Sequence, residues 1–126
     1  MAHYTMIEEG FYPIEAAYLF TEDNDAVSLE EGMIEVYVNG ANERRLRGHG
    51  RAYNRLIVDL LEDHDGMNLL LDLGDSFHYV LEAPFIRAGK SLDAMGLIHF
   101  AAESPIRKLD RNSFEELKSN LHVLGA

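Results

Sequence analysis

The chain has no cysteine, so neither a disulfide framework nor a thiolate-bound zinc can hold it together. No apolar run approaches the roughly 18 residues that a membrane-spanning helix requires. Met1-Ala2-His3-Tyr4 opens the sequence with neither a basic nor an apolar leader segment. Internal repeats, low-complexity tracts and Pro/Gly/Ser-rich linkers are missing as well, so the sequence offers no domain boundary. These absences predict a single globular domain spanning residues 1–126, at home in the reducing cytoplasm and away from membranes. A chain of 126 residues, 47% hydrophobic and 26% charged, can build one self-sufficient core.

Catalytic motifs are equally scarce. The six histidines form no HxH, HExxH or His-x3-His spacing, which is how zinc sites usually show themselves in sequence. The run Glu62-Asp63-His64-Asp65-Gly66 fails as a calcium loop: with Asp63 at position 1, Met67 falls at position 5 and Asn68 where glycine belongs. None of the serines sits in a Gly-x-Ser-x-Gly elbow, and Gly48-His49-Gly50 is neither a Walker loop nor a dinucleotide fingerprint. No metal and no cofactor is therefore expected. An enzymatic alternative needs a site assembled from scattered residues, for which His78, His99 and Arg51 are the candidates.

What the chain has in excess is negative charge, −11 in total, and its layout is uneven. Residues 1–42 carry nine acids (Glu8, Glu9, Glu15, Glu22, Asp23, Asp25, Glu30, Glu31 and Glu35) and no Lys or Arg. Residues 43–56 then gather Arg44, Arg45, Arg47, Arg51 and Arg55 against Glu43 alone, and from residue 57 onward twelve acids face six bases. The net field repels nucleic acid and anionic membrane and favours a basic protein partner, or serves solubility alone. The arginine cluster reads in two ways. It is either an exposed face neutralised by the acidic N-terminal strands, or an anchor patch for a partner's carboxylates or phosphates.

Periodicity gives a coarse layout. Residues 3–20 suggest a short strand before Gly10 and a second element at 14–20, and residues 21–25 read as a loop. Met33-Ile34-Glu35-Val36-Tyr37-Val38 is a strand closed by Asn39-Gly40. Ala52, Leu56 and Leu60, with Tyr53, Ile57 and Leu61, predict a helix from about residue 51 that ends in a left-handed Gly66. On that helix Arg47, Arg51 and Arg55 line one face, with Asp59 placed to pair with Arg55. A hairpin follows, with strands at 69–73 and 76–81 about Gly74-Asp75. Residues 91–102 read as a short helix, and a final helix is capped by Asn112 or Ser113, with Glu115 and Glu116 in its first turn and Phe114, Leu117 and Leu121 buried. The elements are grouped rather than alternating. The expected class is α+β: a small antiparallel sheet of three to four strands packed with two to three helices.

Three segments carry a family resemblance. Arg47-Gly48, followed by a helix ending Leu60-Leu61-Glu62-Asp63-His64-Asp65-Gly66, is similar to the helix and polar glycine turn of the plasmid and phage antirestriction proteins of the ArdB/KlcA type. Phe77-His78-Tyr79-Val80-Leu81-Glu82-Ala83-Pro84 resembles that family's Phe-Tyr-Met-Ala-Pro strand, and Ser91-Leu92-Asp93-Ala94-Met95-Gly96 its Ser-Ala-Asp-Ala-Ala-Gly helix start. The chain departs from the family at residues 69–73, which lack its aromatics, and in the N-terminal forty residues, which have no counterpart. The resemblance implies a non-enzymatic inhibitor of host defence that blocks a host protein, and transfers no catalytic residue. A self-associating protein is the other non-enzymatic alternative, with Tyr4, Phe11, Tyr12 and Tyr18 as the contact residues of a homodimer.

Overall fold

Alternation of inward apolar or small residues with outward ones, clearest at residues 44–53 and 95–101, produces strands rather than helices there. The computed structural model describes residues 8–53, 55–57, 60, 66–74, 77–88, 95–102 and 106–124. Within them lie β1 (Gly10–Pro13), β2 (Ala16–Phe20), β3 (Asp25–Val38), β4 (Arg44–Tyr53), β5 (Asn68–Asp72), β6 (His78–Leu81), β7 (Phe85–Ala88), β8 (Met95–Ala101), β9 (Arg107–Leu109) and β10 (His122–Val123). A helix covers Arg111–Ser119, and residues 55–57 and 60 are also helical. Among the described residues no helix is long and apolar enough to cross a membrane.

All ten strands join one sheet in the order β7-β8-β4-β3-β2-β5-β6-β9, with β1 and β10 also pairing with β3. Every pairing is antiparallel except that of β10, which runs parallel to the start of β3. Strand β3 belongs to two half-sheets. Its residues 25–29 pair with β2 and β10, and its residues 33–38 pair with β1 and β4. The register shifts between Glu30 and Met33, where Glu31 adopts a positive φ of 51°. Such a bulge bends a strand and sharpens its twist. Gly32, next to it, lets the bend close: a Cβ there would stand 2.8 Å from Ile14 Cδ1.

The bend turns both half-sheets toward one core. Ala17, Leu19, Val27 and Leu29 from one half meet Ile34, Leu46, Ile98 and Phe100 from the other. The opposite face of the first half packs a second, smaller cluster of Phe20, Ala26, Leu70 and Val80 against Phe114 of the C-terminal helix. Strand β5 is thus buried on both faces, which explains the unbroken Leu69-Leu70-Leu71. Asp110 caps the helix by accepting the Ser113 N–H at 2.7 Å.

This architecture overturns the expected α+β class of three to four strands with two to three helices. Two segments account for most of the difference. Residues 44–53 are strand β4, although Arg47 and Arg51 recur at helical spacing, because positions four apart share a face in a strand as well as in a helix. The deciding signal is the alternation Arg45-Leu46-Arg47-Gly48-His49-Gly50-Arg51-Ala52-Tyr53. Gly48 and Gly50, which would weaken a helix, are packing positions here. A Cβ on Gly48 would meet Phe100 Cζ at 2.6 Å, the Met33 carbonyl oxygen at 2.7 Å and Ile34 Cγ2 at 2.9 Å. Likewise residues 95–101 form β8 rather than a helix, with Gly96, Ile98 and Phe100 facing inward. Residues 91–94 lie outside the described set.

Other expectations need smaller corrections. The first strand starts at Gly10 rather than ending before it, and residues 3–7 lie outside the described set. The 33–38 strand is the second half of the longer β3. The hairpin of β5 and β6 forms, and Gly74 has a positive φ of 95°, but the Phe77 N–H donates to the Gly74 carbonyl. Gly74 therefore opens the turn instead of occupying its centre, and Asp75 and Ser76 lie outside the described residues. The helix end expected at Gly66 adjoins residues 61–65, which lie outside the described set. The last helix begins after Asp110 instead of Asn112 or Ser113, which moves Glu115 and Glu116 out of its first turn.

Two outcomes follow. Gly48→Ala should destabilise by about 1–3 kcal/mol in chemical denaturation, the usual cost of forcing a methyl into filled space, whereas Gly40→Ala, with nothing within 4 Å among the described residues, should stay near neutral. The second concerns acid. Hydrogen bonds from Ser113 hold the Asp110 carboxyl below the usual carboxylate range. Its contribution is therefore complete above the unfolded-state pKa of about 3.9 and fades as pH falls through the lower folded value. Asp110→Ala should lower Tm at neutral pH and lose less Tm than the parent on acidification, as read by circular dichroism melts.

Candidate functional site

The half-sheet β1-β3-β4-β8-β7 has an inner face in the core and an outer face that no described element covers. Register places that outer face in cross-strand rows. One row runs Phe11, Glu35, Arg47, Ala101, Phe85. The next runs Pro13, Met33, His49, His99, Arg87. Ala101 is small, so the middle of the face dips between rings standing at both edge strands. Phe11 is 68% exposed and Phe85 56%. The result is a trough of about 580 Å³.

Its charges are partly spent internally. Arg47 Nε donates to Glu35 Oε1 at 2.7 Å, and its guanidinium lies 4.4 Å from the centre of the Tyr37 ring. The hydrogen bond to Glu35 and that carboxylate's charge raise the Arg47 pKa above its already high ordinary value, so this cation is permanent. Arg51 sits 3.6 Å from Glu31, and Arg45 3.6 Å from Glu43. The acids of β3 and its turn therefore neutralise the arginines of β4 across the ladder, in solvent-exposed pairs that each contribute little to stability. Arg87 is different: among the described residues it pairs with no carboxylate. Beside it in the same row, His99 and His49 meet edge to face with ring centres 6.2 Å apart. His49 Nδ1 is shielded from solvent and has no hydrogen-bond partner among the described residues.

The five arginines singled out from sequence do not act as one helical face. Arg45, Arg47 and Arg51 share the outer face of β4. Arg44 alternates to the other side, and Arg55 is exposed in the helical stretch beyond the strand. Asp59, its expected partner, lies outside the described residues. Sequence reading missed Arg87, Phe85 and the joining of His49 to His99. No local signal marked Phe85 and Arg87, because the exposed side of Phe85-Ile86-Arg87-Ala88 carries one apolar and one charged residue and does not alternate in polarity.

The scattered candidates for catalysis are not assembled. His99 and Arg51 share the outer face of the second half-sheet, but His78 lies in the other half, buried beneath Phe114 at 4.3 Å between ring centres. There its Nε2 is 3.4 Å from Asp72 Oδ1, which also accepts the Gly74 N–H. Among the described residues no three His, Asp or Glu side chains converge as metal ligands would. The aromatics suggested for self-association are dispersed too. Phe11 rims the trough, the Tyr12 hydroxyl donates to the Glu8 carbonyl, Tyr18 lies on the helix-bearing side near Lys118, and Tyr4 is outside the described residues.

Tyr79 is the remaining polar group of interest. It is fully buried, its hydroxyl has no partner among the described residues, and burial pushes its pKa up. No family model matches the chain, and no curated protein or solved structure is significantly similar to it.

Tyr79 behaves as a core ring with an unsatisfied hydroxyl. Tyr79→Phe should leave stability unchanged or raise it by up to about 1 kcal/mol in urea titrations. Because its folded-state pKa is raised, ionisation of this phenol favours the unfolded chain as pH climbs above about 10, a loss of stability that the variant lacks, so the variant should also resist alkali better.

Proposed function

We propose that this protein is a non-enzymatic, protein-binding inhibitor or accessory protein that works by occupying a partner's surface in the cytoplasm. The observation that carries the reading is the outer face of β1-β3-β4-β8-β7. Exposed aromatic rings and arginines sit there together on a rigid sheet that nothing described covers. Aromatic and arginine side chains are the residues that most often anchor protein interfaces, since they bring large contact area and directional hydrogen bonds. Arg45, Arg47 and Arg51 contribute from β4. Their partner-binding role was the sequence-based expectation for the whole cluster, Arg44 and Arg55 included. The resemblance to ArdB/KlcA-type antirestriction proteins supplies the biological class, an anti-defence protein of a phage or mobile element that blocks a host protein.

Direct binding to nucleic acid is disfavoured by the charge of −11, which a long polyanion would feel along its whole length. A symmetric homodimer through this face is disfavoured for a local reason: it would set the arginines of one copy against those of the other.

The test is in vivo crosslinking followed by mass spectrometry. Crosslinks to a host protein should originate on the outer face of β3, β4, β7 and β8. The triple variant Arg45→Ala, Arg47→Ala, Arg51→Ala should weaken capture of that protein about tenfold or more, since charge-assisted contacts contribute ~1.5–3 kcal/mol each. Crosslinks confined to the C-terminal helix, or capture untouched by the triple variant, would remove the proposal.

A further inference from the structure

We infer that the trough between Phe11 and Phe85 is a recognition site for an extended, mainly apolar segment of a partner protein carrying one acidic side chain, which Arg87 receives. This inference rests on the protein-binding reading and specifies what the partner presents.

The two ends of the trough differ in chemistry. At the β1 end Phe11, Pro13 and Met33 form an apolar patch, with Phe11 and Met33 both exposed. At the β7 end Arg87 lies beside His99, its cross-strand partner, with Phe85 two residues away on the same strand. Across the lined surface the two guanidiniums of Arg47 and Arg87 stand against the single carboxylate of Glu35, leaving one net positive charge. Glu35 is committed to Arg47 at 2.7 Å, so the uncompensated cation is Arg87. A local positive site in a molecule of charge −11 selects for an acidic group. Salt limits the long-range opposition of the acidic body to about 8 Å, while a carboxylate seated on a guanidinium is in contact.

Dimensions favour an extended segment over a small molecule. Five strands at about 4.8 Å spacing set the two edge strands roughly 19 Å apart, which an extended peptide of about six residues spans at ~3.3 Å each. The apolar patch and Arg87 thus read an apolar side chain and a carboxylate several residues apart in one chain. A second copy of this protein is a poor occupant, because the face it would present is the same cationic one. A nucleic acid strand would bring a charge per nucleotide to a site with one to offer.

The experiment selects from a displayed library of random short peptides on the immobilised full-length chain. The enriched peptides should contain Asp or Glu well above the input frequency, spaced several residues from a large apolar side chain. A selected peptide should bind about tenfold or more weakly when its acid is changed to the amide. It should weaken similarly with Arg87→Ala and with Phe85→Ser, while Arg107→Ala, whose residue pairs with Glu82 at 3.3 Å outside the trough, should have no effect. Backbone amide shift mapping should place the peptide on β3, β4, β7 and β8. The inference is overturned if no peptide is enriched, if enriched peptides are basic or indifferent to Arg87→Ala, if the shifts map elsewhere, or if single-stranded RNA displaces the peptide. In any of those cases the protein-binding reading still stands, provided that crosslinked host protein depends on Arg45, Arg47 and Arg51. If that dependence fails while peptides still bind at Arg87, the reading falls and the recognition site remains.

Discussion

Strand β3 is asked to pair with different neighbours along its length, and everything else in the fold follows from how it meets that demand. A straight strand of 14 residues would lay β1, β2, β4 and β10 into one flat sheet with its apolar faces open to water. The bulge at Glu30–Met33 bends it, and Gly32 lets Ile14 and the His49 carbonyl come close on the inside of the bend. Both half-sheets then face the same core, so the hydrophobic burial that stabilises each depends on the bend in the strand they share. Glu31, held at a positive φ, is strained in the way that side-chain-bearing residues tolerate only where the surrounding pairing dictates it. The pairing on either side of it does so.

The same strand organises the electrostatics. Glu31 and Glu35 on β3 lie across from Arg51 and Arg47 on β4, so the acidic first third of the chain and the arginine cluster that follows it are two rungs of one ladder. Opposite charges on facing strands support register, though each exposed pair is worth little alone. The cost to a binding role is that these arginines arrive already partnered. A guanidinium with five donors can still accept a second carboxylate. Arg87 on β7 needs no exchange of partners, because its neighbours across the strand are histidine rather than acid.

The sequence showed its short-range features well and its pairing poorly. The hairpin at Leu69–Leu81 with a positive-φ Gly74, the strand through Ile34, Val36 and Val38, and the final helix burying Phe114 were all legible, because local alternation, turn residues and a capped stripe specify them. Strand β4 was misread because arginine recurs every four residues, an interval common to both periodicities, while its inward positions are Gly48, Gly50 and Ala52, too small to register as an apolar face. Those residues are small because Phe100, Met33 and Leu29 occupy the space their side chains would need. That information lies 15 or more residues away in the chain and is visible only after the strands are paired. The trough was illegible for the same reason. Its residues come from five strands, and only register brings Phe11 into line with Phe85.

An acidic protein with an isolated cationic trough is a selective arrangement. Long-range repulsion discourages polyanions and strongly acidic surfaces before contact, and it acts on the whole charge of the approaching molecule. A segment with a single carboxylate among apolar residues escapes most of that penalty, because its net charge is small. Once docked, its acid exchanges water for Arg87 and its apolar side chains cover Phe11, Met33 and Phe85. Gly48, whose backbone lies in the trough floor, faces the core, so a side chain there would disturb Phe100 rather than reshape the surface. A change of specificity must come from the rim, at Phe11, Phe85 and Arg87, where side chains project from edge strands into solvent and the core has no stake.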